Sequence, residues 1–232
     1  MNETFEFETY LSISQTKFGI YLLDTKNTKN LYSKEITFKK TNFINYSELK
    51  KFLDENIFRI EKFLGKFVEN IFIIVDNESI LNIQIGIKQK NHQSSKSKVY
   101  LKGSITNAKN LFNENYPDEK IMHIIISNYL IDGENHFYLK DNLECEQLNL
   151  VVQFKSISNE IIYNLNKILQ NYQINIIKFL DGNYVKNFFN EDIELSKMAF
   201  NILQGCNVNE VMFVQKNTKK LGFFEKFFQL FG

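Results

Sequence analysis

Met122-His123-Ile124-Ile125-Ile126-Ser127-Asn128-Tyr129-Leu130-Ile131-Asp132-Gly133 is one apolar run closed by an Asp-Gly pair. Ile121 to Ile131 is dense in β-branched and aromatic residues and reads as a strand. Asp132-Gly133-Glu134-Asn135 reads as a hairpin loop in which Asp and Gly supply the turn chemistry, with Glu134 to Leu139 as the partner strand. Upstream, Ile80 to Lys88 alternates as a strand, Lys90 to Lys98 is a Ser- and Lys-rich loop, and Thr106 to Asn115 is an expected helix. Thr106 is its expected cap, and Pro117 lies just past its end. Downstream, Gln147 to Lys155 is a strand, Ser158 to Asn171 an amphipathic helix and Ile174 to Leu180 a closing strand. Together these elements spell a compact α+β module.

The residues before this module have a different order. Thr9 to Leu23 holds two apolar runs around Ser14-Gln15-Thr16-Lys17 and reads as a hairpin, with Leu31 to Phe38 as a third strand. Ser47 to Val68 carries Leu49, Phe52, Leu53, Ile57, Ile60, Phe63, Leu64 and Phe67 at helical spacing, with Ser47 as the expected N-cap, and Ile71 to Val75 follows as a strand. Three strands, a helix and a strand make half of an α/β layer. After the module, Asp192 to Leu203 reads as a helix ended by Gly205, and Val211 to Val214 as a last short strand.

Composition narrows the function. With 44% apolar residues among 232, one proline and nine glycines, the chain is a folded one of one or two domains. At this length roughly 70% of the unfolded surface can be buried, so no disulfide or metal is needed. Cys145 and Cys206 show no metal-ligand spacing and suit a reducing compartment. Lysine plus arginine total 28 against 27 acids, which leaves no basic footprint for nucleic acid. Met1 to Tyr10 carries no secretory signal pattern, and no stretch approaches the ~18 apolar residues of a membrane span, so a cytoplasmic body is expected.

Past Gln215 the pattern changes. Gln215 to Lys220 is a polar linker holding Lys216, Lys219 and Lys220. On a helical wheel Leu221, Phe223, Phe224, Phe227, Phe228, Leu230 and Phe231 fill one half, and Gly222, Glu225, Lys226 and Gln229 gather opposite. A wide aromatic face behind a basic approach is what lets a helix lie in the headgroup region of an anionic bilayer. A helix packed back on its own domain or on a partner is the alternative.

Three matches resemble the bacterial actin-like cell-division protein family FtsA. The run Met122 to Gly133 is similar, without gaps, to the family's Leu-His-Val-Ile-Pro-Gln-Glu-Tyr-x-Ile-Asp-Gly. Leu150-Val151-Val152, the helix Asn159 to Gln170 and Ile174-Asn175-Ile176-Ile177 resemble its strand, long helix and following strand. Asn190-Glu191-Asp192 with Glu194-Leu195 resembles its acidic turn before a second phosphate loop. The resemblance implies an α+β fold: a reduced actin-like α/β subdomain (1–78 and 182–214), an inserted SHS2-type α+β subdomain (79–181), a basic linker (215–220) and an amphipathic membrane-targeting helix (221–231).

The family's first phosphate loop reads Leu-Asp-Ile-Gly-Thr-x-Lys. Here Leu11-Ser12-Ile13-Ser14-Gln15-Thr16-Lys17 stands in its place, with Ser12 for the acid that organises a metal-bound water and Ser14 for the glycine that admits phosphate. Lys197 to Leu203 follows Leu195 where the second loop would stand. No catalytic, cofactor or metal site is therefore expected, and the chain is expected not to be an enzyme. His92, His123 and His136 are scattered, and His123 reads as a satisfied core histidine. Asp76 and Glu78 are acids at a strand end with no nucleophile beside them.

What the resemblance implies is a peripheral adaptor at the cytoplasmic face of the inner membrane, anchoring division proteins. FtsN-like partners are expected to contact the inserted subdomain through a strand edge or the Lys90 to Lys98 loop. FtsZ is bound in the family by the half of the fold that has no counterpart here, and self-association stays open. Two rivals stand beside this: a PilM-like pilus-assembly scaffold, and a degenerate ATPase of the actin superfamily.

Overall fold

The computed structural model describes residues 6–90, 97–138, 147–189 and 193–212. They form two compact units. Among the described residues, the first takes those within 6–80 and 157–206, and the second those within 81–156 and 207–212.

The first unit is a five-stranded sheet with helices. β1 (Phe7–Ser14), β2 (Lys17–Asp24) and β3 (Lys29–Thr37) run as an antiparallel meander, and β4 (Asn70–Asp76) and β9 (Asn175–Asp181) extend it on the other side of β1, in the order β3-β2-β1-β4-β9. β1 and β4 are parallel, as are β4 and β9. Tyr10, Leu11, Ile13, Phe18, Ile20, Leu22 and Leu23 are all fully buried. A continuous apolar run in place of alternation is what a strand covered on both faces requires. Each such side chain contributes about 1.5–3 kcal/mol.

Helix α1 (Tyr46–Leu64) buries Leu49, Phe52, Leu53, Ile57 and Ile60, and the rings of Phe52 and Phe18 lie 6.2 Å apart. Its cap is Asn45, not Ser47: the Asn45 side chain accepts from the Glu48 N–H at 3.1 Å, which places Ser47 inside the first turn. Gly65, at φ 67°, ends the helix in the left-handed region and donates its N–H to the Glu61 carbonyl.

The second unit is a four-stranded sheet, β5-β8-β6-β7, with one helix packed on it. β5 (Leu81–Lys90) and β8 (Gln147–Ser158) pair antiparallel over ten residue pairs, from Leu81 with Ser156 to Lys90 with Gln147. β6 (Glu119–Ile131) and β7 (Glu134–His136) form the expected hairpin. Asp132 at φ 49° and Gly133 at φ 90° fill the two-residue turn that Asp-Gly favours, and Asp132 Oδ1 accepts from the Gln147 N–H at 2.7 Å.

Helix α2 (Ser97–Asn115) sets Leu101, Ile105, Ala108 and Phe112 against Leu148, Leu150, Val152 and Phe154 of β8, with Phe112 stacked on Phe154 at 5.0 Å. It begins nine residues before the expected cap. Thr106 lies mid-helix, its hydroxyl donating to the Lys102 carbonyl at 2.8 Å, because the 4-3-4 apolar spacing continues upstream to Leu101. The expected loop Lys90 to Lys98 accordingly gives up Ser97 and Lys98 to the helix, and 91–96 lie outside the described residues.

Two assignments along the chain differ from expectation. α3 (Asn159–Gln170, capped by Ser158) and β9 belong to the first unit, since β9 pairs with β4, Ile73 against Phe179. Residues 207–212 belong to the second unit: Glu210 bridges Ile125, and Val211 N–H donates to the Ile124 carbonyl at 2.8 Å. Phe213 and Val214 of the expected last strand lie outside the described residues. α4 (Gly182–Phe188), unforeseen in the sequence, starts on the Asp181 cap, and α5 (Leu195–Leu203) ends before Gly205 at φ 80°.

Candidate functional site

In an open α/β sheet, ligands sit outside the carboxyl ends of the parallel strands. In the first unit those ends are Ser14 of β1, Asp76 of β4 and Asp181 of β9. Each is engaged by the protein itself.

The β1–β2 turn, Ser14 to Lys17, is the stretch that the sequence resemblance set against a phosphate loop. Ser14 Oγ accepts from the N–H groups of Thr16 at 3.2 Å and Lys17 at 2.8 Å and lies 3.1 Å from the Lys17 carbonyl. Backbone donors that a phosphate loop turns toward its ligand are thus taken by a hydroxyl two and three residues upstream. Lys17 pairs with Glu35 at 3.0 Å. Gln15, 9% exposed, spans from the turn to the next strand end, its Nε2 donating to the Asn42 carbonyl and to Asn77 Oδ1, both at 3.3 Å. Asn77 Oδ1 also accepts from the Ser79 N–H.

At the end of β4, Asp76 is ion-paired with Lys186 and Glu78 with Lys40. At the end of β9, the Asp181 carboxylate accepts from the Asn183 N–H at 2.9 Å and caps α4. A Cβ at Gly182 would stand 2.9 Å from Asp76 Cβ and 3.2 Å from the Val75 carbonyl, so only glycine lets α4 start this close to β4.

Beside this edge Tyr21 donates to Glu35. Burial drives the Tyr21 hydroxyl well above its ordinary range, and the Glu35 hydrogen bond adds to this. Burial pulls Glu35 upward too, but hydrogen bonds from Tyr21 and Lys17 outweigh it and hold the carboxyl below its usual value. Glu194 is lowered chiefly by its hydrogen bond from Lys197. Glu194 and Leu195, expected before a second phosphate loop, open α5 instead, and 190–192 lie outside the described residues.

His123, in the second unit, is buried and its Nδ1 stands 2.8 Å from Glu210 Oε1, with side-chain exposures of 0% and 2%. The ring is a partnered core histidine inaccessible to a substrate. Its partner, 87 residues away, carried no local signal. His136 is half-exposed on β7, and His92 lies outside the described residues. Among the described residues no group of three metal-ligating side chains gathers, and no helix is long and apolar enough to cross a membrane. The expected membrane-binding residues Lys216, Lys219, Lys220, Leu221, Phe223, Phe224, Phe227, Phe228, Leu230 and Phe231 lie outside the described residues.

No family model matches the chain, and no curated protein sequence matches it. Solved structures similar to it include a PilM-PilN type IV pilus biogenesis complex (TM-score 0.46, 10% identity, 78% of this chain and 49% of that one). A second is the cytoplasmic domain of EpsL, an inner membrane component of the type II secretion system of Vibrio cholerae (0.36, 6%, 77% and 59%). A third is a Bacteroides thetaiotaomicron protein with an actin-like ATPase fold and unknown function (0.35, 16%, 81% and 58%). The chain spans 49–59% of the length of these three. All three scores fall below 0.5, so functional weight rests on the chain's own residues.

Proposed function

We propose that this chain is a non-catalytic, FtsA-like adaptor that works at the cytoplasmic face of a bacterial membrane and recruits division proteins there. The observation that supports this most is the closed carboxyl edge of the first sheet, where Ser14 satisfies the turn and Gln15, Asn77 and the Asp76–Lys186 pair fill the ground a nucleotide would need. A chain that keeps such a sheet without a phosphate cradle has use for its surfaces rather than for turnover.

The second unit interrupts the first between β4 and α3 and runs strand, helix, strand, strand in its main elements, which supports reading it as the inserted subdomain, although α3 and β9 lie outside it. It is the unit proposed to meet membrane-embedded division proteins of the FtsN kind. The lysines at 216, 219 and 220 and the aromatic face from Leu221 to Phe231 are proposed as the membrane hook. Each phenylalanine gives about 2 kcal/mol in full burial and less at an interface, and each lysine adds up to about 1 kcal/mol near an anionic surface.

A fluorescent fusion in the native cell tests the reading. The wild-type chain is expected at division sites, and Phe224→Glu with Phe228→Glu is expected to release it into the cytoplasm. Wild-type signal confined to pilus machinery would transfer the assignment to a PilM-like scaffold, and membrane retention of the double variant would remove the hook.

A further inference from the structure

Sheet edges differ sharply in how they are protected. In the first unit β3 carries Lys29, Lys34 and Glu35, and its pairing with β2 slips at Leu31. β9 slips at Ile177, which has no partner on β4. In the second unit β7 is three residues long, and further along β6 the same side is occupied by Asn209 to Val211. Charges, bulges, brevity and cover are the ordinary means of blocking edge-to-edge pairing.

β5 is neither short nor bulged, and its charges, Lys88 and Lys90, are confined to one end. It is ten residues long, pairs with β8 without a register shift, and among the described residues has no neighbour on its outer side. From Leu81 to Ile87 it bears no charge and no proline. Ile83, Ile85 and Ile87 pack against the α2 core yet stay only partly buried, and Asn82, Gln84, Gly86 and Lys88 alternate with them on the opposite, exposed face.

We propose that β5 is a self-association edge, pairing antiparallel with β5 of a second copy of this chain about a two-fold axis at Ile85. The strand's own sequence supports this occupant. An isologous contact must be self-complementary. With Ile85 on the axis, Ile83 of one copy faces Ile87 of the other, so the apolar rows of both sheets join on the face that carries α2. Gln84 then faces Gly86, where a Cβ would meet nothing within 4 Å. Lys88 faces Asn82, so the lysines at 88 are kept off one another. From Leu81 to Lys90 the strand holds no acid, and its lysines lie at one end. The resulting sheet has eight strands, with both α2 helices on one side.

The register sets the test. In Gln84→Lys/Gly86→Lys every new lysine directly faces a lysine of the other copy, and like charges directly opposite oppose pairing. In Gln84→Glu/Gly86→Lys each glutamate faces a lysine, on the same backbone and with the same number of substitutions. Sedimentation equilibrium of the full chain is expected to show the wild type doubling in mass with concentration. The Lys/Lys variant is expected to stay at the single-chain mass, and the Glu/Lys variant to dimerise at least as tightly as wild type, with affinity that falls as salt rises. A wild type monomeric throughout, or a Lys/Lys variant that dimerises like wild type, would overturn the proposal. So would loss of dimer in both variants with folding retained, because the register would then be wrong. All three chains share residues 213–232, so association through those would be indifferent to the pair and count against β5.

Discussion

Glu210→Ala should loosen the attachment of residues 207–212 to β6. Its carboxylate and the His123 ring are both buried, 2.8 Å apart, and the backbone bonds beside them include Ile126 N–H to the Asn209 carbonyl at 2.9 Å and Val211 N–H to the Ile124 carbonyl at 2.8 Å. Removing one partner of a buried hydrogen bond and leaving the other unsatisfied costs about 1–3 kcal/mol. With both side chains almost fully buried, a loss of about 2–3 kcal/mol is the expectation. At ~1.4 kcal/mol per decade, exchange protection of the Ile126 and Val211 amides should fall by about thirty-fold or more. Hydrogen exchange read by mass spectrometry or NMR measures this, with Glu210→Gln, which keeps an acceptor, losing less. A cycle with His123→Ala should give a coupling above ~1 kcal/mol. Unchanged protection, or an additive cycle, would refute the view that the pair clamps this segment.

Burial raises the Glu8 carboxyl above its ordinary value, more than the Tyr10 hydrogen bond lowers it, so the native state binds the proton more tightly than the unfolded chain. Stability from this site therefore falls as pH rises out of the carboxylate range; Glu8→Gln should exceed wild type in urea midpoint at neutral pH, the gap closing near pH ~4, and a pH-independent gap would contradict this. Gly133→Ala, at φ 90° with open space around its Cβ, should cost about 1–2 kcal/mol from backbone strain alone, read as a lower urea midpoint of the second unit; an unchanged midpoint would contradict the turn geometry.

Elements with a strong local pattern were legible in the sequence. The β1–β2 and β6–β7 hairpins follow from apolar runs around Ser14 to Lys17 and from Asp132-Gly133, and α3 follows from its amphipathic spacing behind Ser158. Caps were harder. Asn45 and Ser47 are both good cap residues two positions apart, and only the exact start of the helix decides between them. Thr106 imitates a cap but sits on the exposed side of a longer helix. Long-range pairings left no trace: β9 joins β4 a hundred residues upstream, and Glu210 finds His123 across 87 positions. α4 is only seven residues long, too short to show a period. At the candidate site, the serine at 14, where the resembled loop has glycine, was readable, while the role of Gln15 in bridging to Asn77 was not, because the two meet only when β1 and β4 pair.

The most direct measurement is a calorimetric titration of the full chain with ATP and magnesium. With the β1–β2 donors taken by Ser14 and the strand ends held by Gln15, Asn77 and Lys186, no stoichiometric heat is expected at physiological nucleotide. A one-to-one site of sub-millimolar affinity would contradict the account and favour the rival reading of a working nucleotide-binding protein.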